Sequence, residues 1–209
     1  MPKELNSEEI ARLEKLNIWE KINAGDWYQY GKETELQKIV KTSSQRVQTI
    51  NALAQTDFDA ASARLHEFVP NLADGVEIYF PISSIEYPER LSVGEGSFIN
   101  SGLQIVSAGR VSVGKHCFIG PNCQLFTPNH HATDKFLRRA GWQYDAPITI
   151  GDDCWFGGAV IILPGVSIGK NVVIGAGSVV TRNLPDNCMA AGNPARVLKY
   201  FLENEPKMI

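Results

Sequence analysis

No stretch of this sequence approaches the roughly 18 consecutive apolar residues of a membrane-spanning helix. The opening MPKELNSEEIARLEKL also lacks the unbroken apolar core of a secretory signal. A soluble, cytoplasmic chain without membrane contact is expected. Cysteine is scarce: Cys117, Cys123, Cys154 and Cys188 are the four thiols, with neither a C-x-x-C pair nor a zinc-finger spacing. A disulfide framework is therefore not expected, and neither is a metal site. An excess of one charge is missing too, since 20 Lys and Arg against 23 Asp and Glu leave a formal net charge of −3. The chain should have no general attraction for nucleic acid or anionic lipid, although a local basic cluster could still hold a phosphate-bearing ligand. Its 209 residues suffice for one domain with a sizeable core and an appended segment.

What the sequence does have is a period. Bulky apolar residues recur every six positions at Ile150, Phe156, Ile162, Ile168, Ile174 and Val180. Upstream the same row runs Val93, Ile99, Ile105 and, after two extra residues near Ala108–Arg110, Val113, Ile119, Leu125. Glycine follows the row residue at 94, 114, 120, 151, 157, 169 and 175, and four places after the row come small or medium side chains, among them Cys117, Cys123, Cys154, Val160, Val166, Val172 and Ser178. A helix would need a spacing near 3.6 and a meander a spacing of two; a strict six means one short strand and one turn per unit, three units closing a triangular coil. The expected fold is an all-β solenoid, a left-handed parallel β-helix. The glycines are expected to supply positive φ at the corners, and the three in-register thiols to be buried packing groups. Cys188 falls outside the register.

Residues 1–66 read as an N-terminal helical segment, two helical runs broken at Asn23-Ala24-Gly25-Asp26. Its apolar face needs cover from the coils or from a neighbouring chain. Residues 67–92, with Pro70, Pro81 and Pro88, lead into coils expected over 93–185; residues 186–209 read as a Pro/Gly-rich crossing and a short C-terminal helix closing the open end. The stretch FTPNHHATDKFLRRAGWQYDAP, residues 126–147, interrupts the period as an extruded loop and sets His130 and His131 side by side.

From Pro147 to Lys199, PITIGDDCWFGGAVIILPGVSIGKNVVIGAGSVVTRNLPDNCMAAGNPARVLK resembles the hexapeptide-repeat acyltransferases, in particular the galactoside and maltose O-acetyltransferase branch, and the likeness extends at lower fidelity back to AGDWY at Ala24. The resemblance implies a homotrimer, acetyl-CoA held between adjacent subunits, and direct acetyl transfer to a hydroxyl of a sugar or saccharide. It also implies a histidine base in the extruded loop, a role suited to a neutral imidazole. Counting forward from VSVGKHCFIGPNC places that base at His130; counting back from PITIG places it at His131, so the loop is one residue longer than the pattern. The forward count runs through rigid repeats, which favours His130 with His131 as the alternate. On the same resemblance Asn100 lines the acceptor site, Trp155 lies beside the thioester, and the Gly158 N–H faces the oxyanion. Ala176 continues the pantetheine wall, and Thr181, Arg182, Arg196 and Lys199 lie where the family binds the adenine and phosphates of CoA.

The departures fall on the acceptor side. Ser107-Ala108 stands where the galactoside enzymes have an acidic pair, Tyr30 replaces an acidic residue, and Gln143 replaces a glutamate of many relatives, so a carboxylate that helps the histidine is absent or comes from elsewhere. Three other readings compete. One is N-acetyl transfer to an amine. Another is a non-catalytic structural or CoA-binding subunit. The third is a γ-type carbonic anhydrase, for which His66, His116, His130 and His131 lack the coil-spaced pair its metal needs.

Overall fold

The computed structural model describes residues 2 and 4–201. Three parallel sheets form the faces of a left-handed β-helix of about six turns. The first face carries Leu91–Val93, Val111–Val113, Ile148–Ile150 and Ser167–Ile168, extended by bridges at Leu72 and Leu184. The second begins with Glu77–Ile78, Phe98–Ile99 and Phe118–Ile119 and continues through Trp155–Phe156, Val172–Ile174 and Cys188–Gly192. The third carries Ser84–Ile85, Gln104–Val106, Gln124–Phe126, Ile161–Ile162 and Val179–Val180. All twelve row residues are buried, and so are the small inward positions from Cys117 to Ser178. Each row residue stacks on its equivalent one coil away, as in Ile99, Ile119, Phe156 and Ile174.

The corners work differently from the expectation. None of the glycines that follow the row residues has positive φ. The left-handed positions fall two residues further on, at His116, Asn122, Asp153, Ala159, Asn171 and Asn187, and at Gly96, Gly102, Gly165 and Gly177. The row glycines are needed for closeness: a Cβ on Gly94, Gly114, Gly120, Gly151 or Gly157 would lie 2.6 or 2.7 Å from a backbone atom of the next coil. The same pattern corrects Cys188. Leu184 bridges to Ile168 as the row residue of a last, shortened corner, so Cys188 occupies the same buried inward place as the other thiols, paired with Val172.

The helical arm comprises α1 (Ser7–Leu13), α2 (Ile18–Ala24), α3 (Thr34–Ala54) and α4 (Phe58–Phe68). A capping box between Asn17 and Glu20 starts α2, and Gly25 at φ 67° ends it. Val47 and Ile50 of α3 and Ala61, Leu65 and Phe68 of α4 join the core of the coils, so the arm finds its cover within its own chain. Ile18, Ile22, Tyr28 and Leu36 pack with Tyr87 and Ala108 in a second cluster that ties the arm to a coil corner.

The expected C-terminal helix is corrected over its described part. Ala195–Tyr200 is a strand, running antiparallel to Cys188–Gly192; residues 202–209 lie outside the described residues. Ala195 is buried and Val197 half-buried between exposed Arg196 and Leu198, a period-two pattern that a helical reading of ARVLKY overlooks. The last parallel strand would otherwise leave a row of unpaired backbone groups, and the antiparallel strand satisfies them. No helix among the described residues is long and apolar enough to cross a membrane.

Candidate active site

The extruded segment is an ordered hairpin. Pro128–His130 pairs antiparallel with Trp142–Asp145, α5 (Lys135–Arg139) forms its tip, and Tyr28–Gln29 of the arm adds a third strand. Successive side chains of a strand point to opposite faces, and that separates the two histidines. Tyr28, Gln143 and His130 are directly paired across the three strands and share one face. All three line a cleft of about 230 Å³ with Glu86, Ser107 and Asp145. His131 turns the other way. Its ring stacks on Trp27 with centroids 5.1 Å apart, its Nδ1 accepts from the Asp134 N–H at 3.0 Å, and Trp27 also meets the edge of Tyr144.

A buried carboxylate fastens the hairpin to the coil wall. Asp145 Oδ1 accepts from the N–H groups of Ala108 and Gly109, each at 3.0 Å, and from the Thr127 hydroxyl; Oδ2 accepts from the Tyr28 hydroxyl. Burial, and then the Asp145 charge, push the Tyr28 phenol well above its ordinary range, so it stays protonated and donates. The Tyr28 oxygen in turn accepts from Gln143 Nε2 at 2.8 Å. Glu86, half-buried at the cleft, accepts from the Ser107 N–H at 3.1 Å, and desolvation raises its carboxyl above the usual carboxylate range.

The other residues singled out in the sequence divide between two edges of the prism. Asn100 and Gly158 lie where the second face turns into the third, with Ala176 one coil beyond Gly158. There the Asn100 amide oxygen accepts from the Ser101 N–H at 2.8 Å, so it is engaged in its own corner, and Asn100 does not line the cleft. The Gly158 N–H has no acceptor among the described residues, and a Cβ there would come within 3.3 Å of the Pro121 carbonyl oxygen. Trp155, 56% exposed, stands in the outer row of the second face, in line with Val173, Met189 and Lys199; Arg196, on the closing strand, pairs with Ala191 beside the corner. The hairpin with His130 leaves from the edge between the third and first faces, and exposed Thr181 and Arg182 lie on that edge two coils further on. One chain therefore keeps the hairpin carrying His130 a whole face of the prism away from Gly158.

Of the other histidines, His66 Nε2 lies 3.2 Å from the Val76 carbonyl and His116 occupies a left-handed corner. Among the described residues no three His, Cys, Asp or Glu side chains gather as a metal site. Tyr28, Glu86 and Asp145 were not singled out from the sequence. Tyr28 sits in a run of aromatic residues and Asp145 precedes the strand that resumes the coils, and neither context marks a polar network.

A family model described as the hexapeptide repeat of succinyl-transferase matches residues 110–125 and 147–182. A Saccharomyces cerevisiae protein named for acetyltransferase activity is 35% identical over 190 residues, 91% of this chain and 96% of its own. Among solved structures, a maltose O-acetyltransferase from Clostridium difficile 630 superposes with a TM-score of 0.84 at 33% identity, covering 90% of this chain and 99% of its own. A galactoside acetyltransferase in complex with coenzyme A superposes at 0.78 with 29% identity, covering 88% of this chain and 91% of its own. Likeness on this scale goes beyond a shared solenoid, and the chain belongs to the hexapeptide-repeat acetyltransferases, in the branch of the galactoside and maltose O-acetyltransferases.

Proposed function

We infer that the protein transfers the acetyl group of acetyl-CoA to a hydroxyl of a saccharide, with His130 as the general base. The observation that carries this reading is the alternation in the hairpin, which turns His130 into the cleft and ties His131 to Trp27. In the reaction His130 takes the proton of the acceptor hydroxyl as its oxygen bonds to the thioester carbon. The Gly158 N–H donates to the resulting oxyanion. Collapse breaks the carbon–sulfur bond, and the imidazolium returns its proton to the CoA sulfur. The galactoside acetyltransferase holding coenzyme A supports CoA as the acyl carrier. The maltose and galactoside enzymes support a saccharide as acceptor.

Because His130 and Gly158 stand on different edges of one prism, the reaction needs a second copy that brings its other edge to the hairpin. A homotrimer closes such head-to-tail contacts with three equal sites. Exposed Trp155 with Ala176, Arg196 and Lys199 on one copy, and Thr181 and Arg182 on the next, would then flank the CoA between them. Light scattering should give three chains per particle, and an active monomer would remove the shared site.

A second reading is transfer to an amine, and Glu86 favours it. No ion pair of this half-buried carboxylate occurs among the described residues, and an ammonium would supply one. Thiol release from acetyl-CoA, followed against panels of neutral sugars, amino sugars and simple amines, decides between the two. No release with any acceptor would leave a CoA-binding or structural subunit.

A further inference from the structure

The cleft contains a proton-ordering chain whose direction can be read from its buried end. Asp145 is 1% exposed and only accepts: two backbone N–H groups and the Thr127 hydroxyl meet Oδ1, and the Tyr28 hydroxyl meets Oδ2. Tyr28 has a single proton and gives it to Asp145, so toward Gln143 its oxygen can only accept. Gln143 must therefore present its NH₂ to Tyr28, and this fixes which way round the amide lies. The amide carbonyl is left as the free end. Among the described residues neither the Gln143 Oε1 nor the imidazole of His130 has a hydrogen-bond partner. The two residues are directly paired across the sheet, a relation that typically brings Cβ atoms to about 4.5–5.5 Å.

The geometry points to Gln143 as the positioning residue of the acetyl transfer: once the acceptor is bound, its free carbonyl oxygen takes the N–H of the facing His130 and leaves the other ring nitrogen toward the acceptor, with Tyr28 and Asp145 holding the amide in that sense. The inference rests on His130 being the base. It supplies an orienting group for the base from within the hairpin itself. A neutral amide orients the imidazole without adding a negative charge to a cleft that already contains Glu86 and Asp145, and Tyr28, Tyr30 and Tyr87 complete its titratable lining.

The test compares Gln143→Leu, Gln143→Glu, Tyr28→Phe and His130→Ala in the full chain, with steady-state kinetics against acetyl-CoA and an acceptor found in the screen. Gln143→Leu and Tyr28→Phe should lower kcat about tenfold or more with the acetyl-CoA KM unchanged. Gln143→Glu should keep more of the activity than Gln143→Leu and move the acid limb of the kcat/KM profile to higher pH, because a carboxylate favours the imidazolium. A residue that merely packed would not move that limb. If Tyr28→Phe unfolds, Gln143→Leu alone carries the test, because it leaves the bonds to Asp145 intact. Parental kcat and pH profile in Gln143→Leu, with His130→Ala inactive, overturn this inference and leave the base in place. Full turnover in His130→Ala overturns both.

Discussion

The coils and the hairpin that leaves them obey different periods. In the coils each residue meets its own equivalent one turn away, so a six-residue rule repeated along the chain places Phe156 on Ile119 and Ile174. In the hairpin the rule is alternation, and its partners come from far away in sequence: Tyr28 joins Gln143, 115 residues on, and Asp145, 117 residues on. The coil is a wall whose residues are nearly interchangeable. The hairpin separates adjacent residues, giving His130 to the cleft and His131 to Trp27. Repetition builds the scaffold, and the interruption carries the candidate chemistry.

The largest effects should come from opposite ends of that contrast. Phe156→Ala opens a void in a fully buried stack and should cost about 3–5 kcal/mol of unfolding free energy, read as a lower denaturant midpoint with activity lost only through unfolding. His130→Ala should leave the unfolding curve alone and reduce turnover by about 10²–10⁴-fold, with CoA affinity retained. His131→Ala should show the reverse sign of damage: nearly parental turnover, and a stability loss of about 0.5–1.5 kcal/mol for the ring stacked on Trp27. If His131→Ala proves the inactive variant, alternation within the hairpin does not decide the base.

A smaller effect probes the edges of the prism. Replacing Arg182 and Arg196 together with Ala should weaken CoA binding, at about 1.5–3 kcal/mol for each charge-assisted phosphate contact, without moving the unfolding curve. Unchanged affinity by calorimetry would take both residues out of the CoA site.

The smallest effect concerns Glu86. Its carboxyl is raised above the usual range, chiefly by desolvation and further by Asp145. The folded state therefore binds the proton more tightly than the unfolded state, and stability falls as pH rises from the ordinary glutamate range through the raised value. Glu86→Gln removes that cost, so at neutral pH the variant should melt at the same temperature as the parent or slightly higher, the difference vanishing in acid. The acceptor KM should rise at the same time. A lower melting temperature at neutral pH would make Glu86 a structural group.

Much of the scaffold was legible because its determinants are local. The row from Val93 to Val180, the inward thiols and the row glycines are all visible as spacing, but positive φ is not what those glycines provide. Positive φ falls on His116, Asn122 and their equivalents, while the row glycines yield to the next coil's backbone, a clash that exists only once coils are stacked. The closing strand Ala195–Tyr200 reads as helical from sequence because a short amphipathic run satisfies either period until a partner strand is present. Asp145 and Glu86 carried no sequence signal, since each owes its place to backbone N–H groups donated from a distant corner.

By itself, then, the sequence determined the solenoid, its inward positions, and the presence of a histidine pair in a break of the period. A six-residue repeat constrains every coil in the same way and needs no knowledge of what lies beside it. The tertiary structure alone decided which histidine enters the cleft and which way the Gln143 amide points. Those outcomes depend on hydrogen bonds and packing between segments more than a hundred residues apart, as in Tyr28 with Asp145, and such pairings leave no periodic trace in the chain.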